Sequence, residues 1–287
     1  MPELPEVETI ARGLARRIVG RVIEWVRLSP LARVYGAAVP LCAALRNHRV
    51  RRVRRVGKHI EIDLEPATEA GEAFTLVVHL GMTGRLFVVP ATDAIEPHTH
   101  LRITFRQRRF ELRFCDPRRF GGIWLVPDDR RGAATDWIGR RVPPAGADPL
   151  AISLSEWRAL LRRRRQIKAL LLDQQTIGGI GNIYCDESLH RARLHPQALA
   201  CNLDASATCR LRRAVRQVLA EAIRAGGSSI SDYRRADNSP GGFQRRHRVY
   251  GRQGRPCRRC RTRIERIIVA GRGTFLCPRC QRVATHG

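Results

Sequence analysis

The chain has 287 residues, 43% of them hydrophobic, and a formal net charge of +27. The length suits two domains or one large one, and the apolar content excludes global disorder. The charge is carried mainly by arginine and points to a polyanion, with nucleic acid ahead of an anionic membrane surface. A GC-rich genome would also raise arginine on solvated faces. No stretch approaches the roughly 18 apolar residues of a membrane span, and no basic-then-apolar leader opens the chain. An intracellular protein is expected. Of nine cysteines, Cys42, Cys115, Cys185, Cys201 and Cys209 are scattered and four cluster near the C-terminus. That distribution reads as a metal site plus reduced thiols, not a disulfide framework.

The chain opens Met1-Pro2-Glu3-Leu4-Pro5-Glu6-Val7-Glu8. Removal of Met1 would leave a prolyl α-amine with a pKa near ~8. Such an amine attacks an electrophilic sugar carbon and, being secondary, yields a permanently cationic iminium. Glu3 stands beside it as an acid or base. The same residues equally suit an ordinary helix start, where acidic side chains favour the positive end. Val7, Ile10, Leu14 and Ile18 predict a helix over 3–19, with Gly20 as its stop. Short apolar or alternating runs follow at 22–28, 50–56, 59–64, 74–80, 85–89, 101–105, 110–114 and 122–126. This spacing predicts a β-sandwich or barrel.

Three segments of this half are odd for a core. Gly57-Lys58-His59 puts a lysine at the entry to an apolar strand. His79-Leu80-Gly81-Met82-Thr83-Gly84 sets a methionine between glycines, and Asp116-Pro117-Arg118-Arg119-Phe120-Gly121 joins two arginines to an aromatic. An apolar wedge between bases, with Arg118 and Arg119 gripping a phosphate or an orphaned base, would use these residues; surface turns would also contain them.

Residues 127–150 are rich in Pro, Gly and charge and mark a boundary. Ser155 and Glu156 open a helical segment to about Asp173, which carries Arg162-Arg163-Arg164-Arg165 and Lys168. Four adjacent arginines cannot share one helix face, so some are solvated or bound to an anion. Gly178-Gly179-Ile180-Gly181-Asn182 then leads into a helix to about Arg193, a pattern suited to backbone-phosphate binding or to a plain helical hairpin. Another helix is expected over 207–225, and a Gly-, Ser-, Arg- and Pro-rich mobile loop over 226–256. Last come Cys257-x2-Cys260, sixteen residues, and Cys277-x2-Cys280. Two such knuckles match a tetrahedral four-thiolate zinc site of structural type, pinning a hairpin whose tip, 270–274, offers Arg272.

Together, the N-terminal run, Gly57-Lys58, the Met82 and Phe120 segments, Gly179-Ile180-Gly181-Asn182-Ile183-Tyr184 and the four cysteines resemble the formamidopyrimidine-DNA glycosylase family across nearly the whole chain. The resemblance implies an α+β chain: an N-terminal β-sandwich with a leading helix (1–130), a linker (131–150) and a helix–two-turns–helix domain (151–226). A lesion-side loop (227–250) and a four-cysteine zinc finger (251–287) follow. It implies a bifunctional repair enzyme, a DNA glycosylase and AP lyase that flips out and excises oxidised purines (8-oxoguanine, formamidopyrimidines) and cleaves the strand by β,δ-elimination. Pro2 would be the nucleophile, Glu3 the acid/base, Lys58 an assistant in elimination and Arg272 the residue for phosphate contact and δ-elimination. Met82, Arg118 and Phe120 would fill the gap left by the lesion, with Arg119 in the same turn. His98, Arg163, Lys168 and Asn182 would bind the DNA backbone. One structural Zn2+, damaged double-stranded DNA as partner, no membrane, a monomer, and a bacterial cytoplasmic, nucleoid-associated location complete the expectation.

Arg163 stands where the family pattern suggests a lysine, which keeps charge but not geometry. Pro240-Gly241-Gly242-Phe243 lacks the aromatic that more often precedes the Phe. Two alternatives remain: the sister endonuclease VIII branch for oxidised pyrimidines, and a non-catalytic zinc-finger DNA-binding protein. A zinc-ribbon ribosomal or transcription factor fails on length and on the β-rich half.

Overall fold

Glu3 and Glu6 close a capping box at the head of α1 (Leu4–Ile18), with Pro5 in the first turn, where a missing N–H leaves no bond unmade. The computed structural model describes residues 1–35, 40–68, 71–127, 145–230 and 233–282. The chain separates into one unit of Met1–Pro144 with Gly226–Gly241 and a second of Ala145–Ala225 with Gly242–Gly287.

The first unit is a sandwich. Its four-stranded sheet runs β1 (Ile23–Leu28), β7 (Thr99–Phe105), β8 (Phe110–Cys115), β6 (Arg85–Pro90). Its five-stranded sheet runs β2 (Val34–Tyr35), β9 (Gly122–Pro127), β5 (Phe74–His79), β4 (His59–Pro66), β3 (His48–Val56). Inward residues of both sheets share one core with Val7, Ile10, Leu14 and Ile18 of α1. The eight expected strands are present. The two-residue β2 and the short helix α2 (Leu41–Leu45) are additional, and neither is long enough to show a period.

The second unit is mainly helical: α3 (Leu154–Leu161), α4 (Ile167–Leu172), α5 (Asn182–Ala192) and α6 (Ala205–Arg224), then the hairpin β10 (Glu265–Val269) and β11 (Arg272–Leu276). The single helix expected over 155–173 is two helices. Ser153, not Ser155, is the N-cap, accepting from the Glu156 N–H. The break at 162–166 leaves all four arginines of the run exposed, which no continuous helix could do.

Composition misleads over 226–256. Tyr233 and Ala236 lie in the core of the first unit. Gly13 lacks a Cβ where one would stand 2.7 Å from the Ala236 Cβ. From Gly242 the chain belongs to the second unit, with a 3-10 turn at Phe243–Arg246 and Phe243 buried. The linker expected over 131–150 lies, as far as 144, outside the described residues; beyond it, Gly146 and Ala147 donate to Gln174 and Thr176 carbonyls. No described helix is long and apolar enough to cross a membrane.

Leu14 is fully buried between α1 and the sheets. Leu14→Ala is expected to destabilise the first unit by about 2–5 kcal/mol in urea unfolding. A loss below about 1 kcal/mol would place α1 outside that core.

Candidate active site

At the head of α1, Pro2 and Glu3 are both buried, Glu3 at 4% exposure. Their position is fixed by Glu6, which sequence reading had treated only as a helix-start acid. Its Oε2 accepts the Glu3 N–H (2.9 Å), and its Oε1 accepts the Ser228 N–H (2.7 Å). Gly227 adopts φ +79°, and a Cβ there would lie 2.8 Å from the Glu6 Oε1. Tyr233 donates its hydroxyl to the Gly226 carbonyl (3.1 Å), and burial pushes that phenol far above its usual value. The N-terminal residues are therefore clamped against Gly227 and Ser228. The Pro2 nitrogen becomes an amine only when Met1 has been removed.

The β3–β4 turn, with Gly57 at φ +57°, presents Lys58 at 7% exposure. His59 and His79 face each other across β4 and β5, their rings 4.9 Å apart. Burial, then His79, push His59 down to about 4, with Lys58 adding to the effect. Burial and Lys58 lower His79 too, against Asp116. The Gly81 N–H donates to the His79 Nδ1 (3.2 Å), which needs that nitrogen unprotonated.

Asp116 then gathers the two loops in which the sequence suggested a wedge. Its Oδ1 accepts the Thr83 hydroxyl (2.6 Å) and its Oδ2 the Gly121 N–H (2.7 Å). Its own N–H donates to the His98 carbonyl (3.0 Å). Gly81, at φ +61°, lies so close to the Phe120–Gly121 backbone that a Cβ would meet it at 2.5 Å. The loops bearing Met82, His98 and Arg118–Phe120 thus form one platform. Met82 and Phe120 are 44% and 50% exposed. The Arg118 guanidinium lies over the Phe120 ring at 4.8 Å. Arg119 is exposed at φ +52°, and His98 is exposed at φ +63°.

In the second unit, Gln174 locks the glycine turn by donating to the Leu172 and Ile180 carbonyls and accepting the Gly179 N–H. Asn182 begins α5 and donates its Nδ2 to the Gly273 carbonyl of the hairpin (2.8 Å). One of its donors therefore holds the hairpin. Lys168 departs from its expected role. It is fully buried, and its Nζ donates to the Asp186 Oδ1 (2.6 Å), so it cannot reach a backbone phosphate from this position. Helical periodicity placed Lys168 on α4 but could not show that the face was internal. The other Asp186 oxygen accepts the Phe275 N–H (2.9 Å), and burial pushes this carboxyl up to about 7 against the pull of Lys168. Arg163 is exposed and donates to the Thr176 hydroxyl (2.7 Å).

The hairpin turns at Ala270 and Gly271, both with positive φ, which narrows the expected tip to two residues and leaves Arg272 exposed at the start of β11. At its base, the Sγ atoms of Cys257, Cys260, Cys277 and Cys280 lie within 4.8 Å of one another. Cys260 is 3.4 Å from both Cys277 and Cys280. A tetrahedral thiolate site with arms of about 2.3 Å has edges of about 3.8 Å, so the four sulfurs fit one ion.

Two outcomes follow from the buried charges. The folded pKa of His59 lies below its unfolded value near 6.5. Its contribution is therefore complete above that value and lost as pH falls towards 4, a change of about 3 kcal/mol. His59→Phe should flatten the acid limb of stability against pH; parallel curves for both proteins would refute the assignment. Lys168→Ala leaves Asp186 buried without its cation and is expected to cost the second unit about 3–5 kcal/mol in urea unfolding. A neutral substitution would mean that the pair opens to solvent.

Residues 1–123 match the formamidopyrimidine-DNA glycosylase N-terminal domain, 146–234 the H2TH domain of the same enzyme, and 254–283 the zinc finger found in FPG and IleRS. Formamidopyrimidine-DNA glycosylase of Thermus thermophilus is 43% identical, with 98% of each chain covered. That of Solibacter usitatus is 42% identical over 98% of this chain and 100% of its own. Among solved structures, MutM (Fpg) from Thermus thermophilus superposes with a TM-score of 0.80 at 42% identity, covering 98% of both chains. Lactococcus lactis Fpg in complex with abasic-site DNA gives 0.82 at 32% identity, over 98% of this chain and 100% of that one. With all three domains matched and a relative at this identity spanning almost its full length, the chain belongs to the formamidopyrimidine-DNA glycosylase family.

Proposed function

We propose that the chain is a base-excision-repair glycosylase and AP lyase acting on oxidised purines in double-stranded DNA. The observation that carries this reading is the buried, clamped Pro2–Glu3 pair at the head of α1, in a chain whose relatives bear the name of that enzyme. One related structure, 33% identical, is a MutM complex with carbocyclic 8-oxo-G containing DNA.

The chemistry follows from the residues. With Met1 removed, the Pro2 lone pair attacks C1′ of the damaged nucleotide, and the bond to the base breaks with its electron pair leaving on the base. Glu3, shielded from water, passes a proton during sugar opening. The resulting iminium acidifies the C2′ proton. Loss of that proton expels the 3′ phosphate, and a second elimination expels the 5′ phosphate, leaving a one-nucleotide gap. Lys58 assists elimination beside the lesion, and Arg272 contacts phosphate for the second step. An extruded base leaves a hole in the stack. Met82 and Phe120 fill it, and Arg118 and Arg119 of the same platform face the orphaned base or its phosphate. His98, Arg163 and Asn182 serve the strand backbone; Lys168 supports the site from inside.

The four cysteines hold one structural Zn2+, which fixes the base of the hairpin that carries Arg272. We infer a monomer located with the DNA of a bacterial cytoplasm.

Borohydride trapping on a duplex with one 8-oxoguanine opposite cytosine tests the reading, with undamaged and thymine-glycol duplexes alongside and intact mass to verify loss of Met1. A covalent adduct favouring 8-oxoguanine is expected, and Pro2→Gly should bind the duplex yet lose most of the adduct. A preference for thymine glycol would move the protein to the pyrimidine branch. Equal trapping by wild type and Pro2→Gly would assign the nucleophile to another amine. In salt titrations, Arg272→Ala should reduce the slope of log affinity against log salt by about one. Cys277→Ser should lose zinc and DNA affinity together.

A further inference from the structure

At the C-terminal end of α5, a cavity of about 350 Å³ opens within the second unit. Its walls hold five guanidinium groups against one carboxylate. That carboxylate is taken: both Nη groups of Arg191 donate to Glu221, at 2.7 Å each. Arg246, Arg248, Arg258 and Arg259 complete the lining and form no ion pair among the described residues. Glu187 of the same helix forms no ion pair with them; its carboxylate accepts the N–H groups of Arg248, Val249 and Tyr250, each at 2.9 Å.

The site is built on fixed backbone. Those three bonds to Glu187 pin the strap from which the Arg248 side chain projects. Arg258 and Arg259 lie between Cys257 and Cys260, and the Arg258 guanidinium donates to the Arg245 carbonyl (3.3 Å). His190, fully buried and lining the cavity, sets its Nε2 against the Cys257 Sγ at 3.5 Å.

Guanidinium forks pair with carboxylate or phosphate oxygens. A single carboxylate would leave most of this charge unmatched. Two linked phosphoryl groups bring several charges and many acceptor oxygens into such a volume. We propose that this cavity is a phosphate-binding site for a ligand presenting at least two closely spaced phosphoryl groups. Its source is a free polyphosphate or successive phosphates of a nucleic-acid strand. The site does not depend on the chemistry assigned to Pro2.

The test is calorimetric titration of the metal-loaded full chain with inorganic pyrophosphate, with metal content measured before and after so that chelation is not read as binding. Arg246→Ala/Arg248→Ala keeps the backbone bonds to Glu187. Arg108→Ala/Arg109→Ala removes equal charge from the exposed surface of the first unit. One saturable site is expected in wild type and in the Arg108/Arg109 variant, weakened about tenfold or more in the Arg246/Arg248 variant. Equal affinity in all three proteins, or no saturation in wild type, would overturn the proposal. A second titration with undamaged duplex assigns the source. A selective loss of duplex affinity in the Arg246/Arg248 variant, with pyrophosphate competing, identifies a strand. Equal duplex affinity in both variants identifies a free polyphosphate.

Discussion

The buried carboxylate of Asp116 is the constraint on which the exposed platform of the first unit depends. Met82 and Phe120 stay exposed although both side chains favour burial, so where they stand is set by the backbone of their loops. Asp116 supplies that fixation through Thr83 and Gly121, and the close approach of Gly81 to Phe120 removes the remaining slack. The device recurs. Glu6 accepts two backbone N–H groups at the head of α1, Asp186 accepts the Phe275 N–H, and Glu187 accepts three successive ones. Charge-assisted bonds of this kind are stronger than neutral ones, and breaking one leaves a buried charge or donor unmatched. In a chain with 26 acidic residues against 53 basic ones, several acids thus sit inside and organise backbone. Much of the arginine stays outside.

That division changes what the net charge means. The +27 is not a uniform surface coat. Arg191 and Arg165 are balanced by Glu221 and Asp173, while the cavity at the end of α5 is left cationic. The lysines follow the opposite rule. Lys58 and Lys168 are both buried. A lysine is a compact cation whose charge responds to its surroundings, whereas arginine stays charged and demands planar partners. Lys168 fits a single carboxylate oxygen in a closed interior, as a forked guanidinium would not.

Much of the site was legible in the sequence because its motifs are short and each encodes one local geometry. Glycines at 57, 81 and 271 mark positive-φ turns, and the residues beside them, Lys58, Met82 and Arg272, are those the turns present. The paired CxxC knuckles encode a cluster directly. Periodicity found α1 and the strands, since one face of each is buried. What stayed hidden depends on partners distant in sequence. Nothing local reveals that Glu6 meets Ser228, that Lys168 meets Asp186, or that Tyr233 enters a core built from residues more than a hundred positions earlier. Glycine content over 226–256 suggested a free loop, yet at Gly227 it marks close approach to another side chain.

The hairpin of the second unit shows how these layers combine. Its base is gathered by four clustered cysteines, but its edge is held separately, by Asn182 at Gly273 and by Asp186 at Phe275. Those two contacts straddle Thr274, which is itself buried. The strand bearing Arg272 is therefore registered against α5 residue by residue, at a helix whose first turn is set by Gln174 and the glycines. The four-cysteine cluster fixes where the hairpin is rooted, and the side chains of α5 fix where along the helix its tip lies. The Lys168–Asp186 pair belongs to the second function. It sets the oxygen that receives Phe275, so an internal lysine with no access to DNA still governs where an exposed arginine can reach.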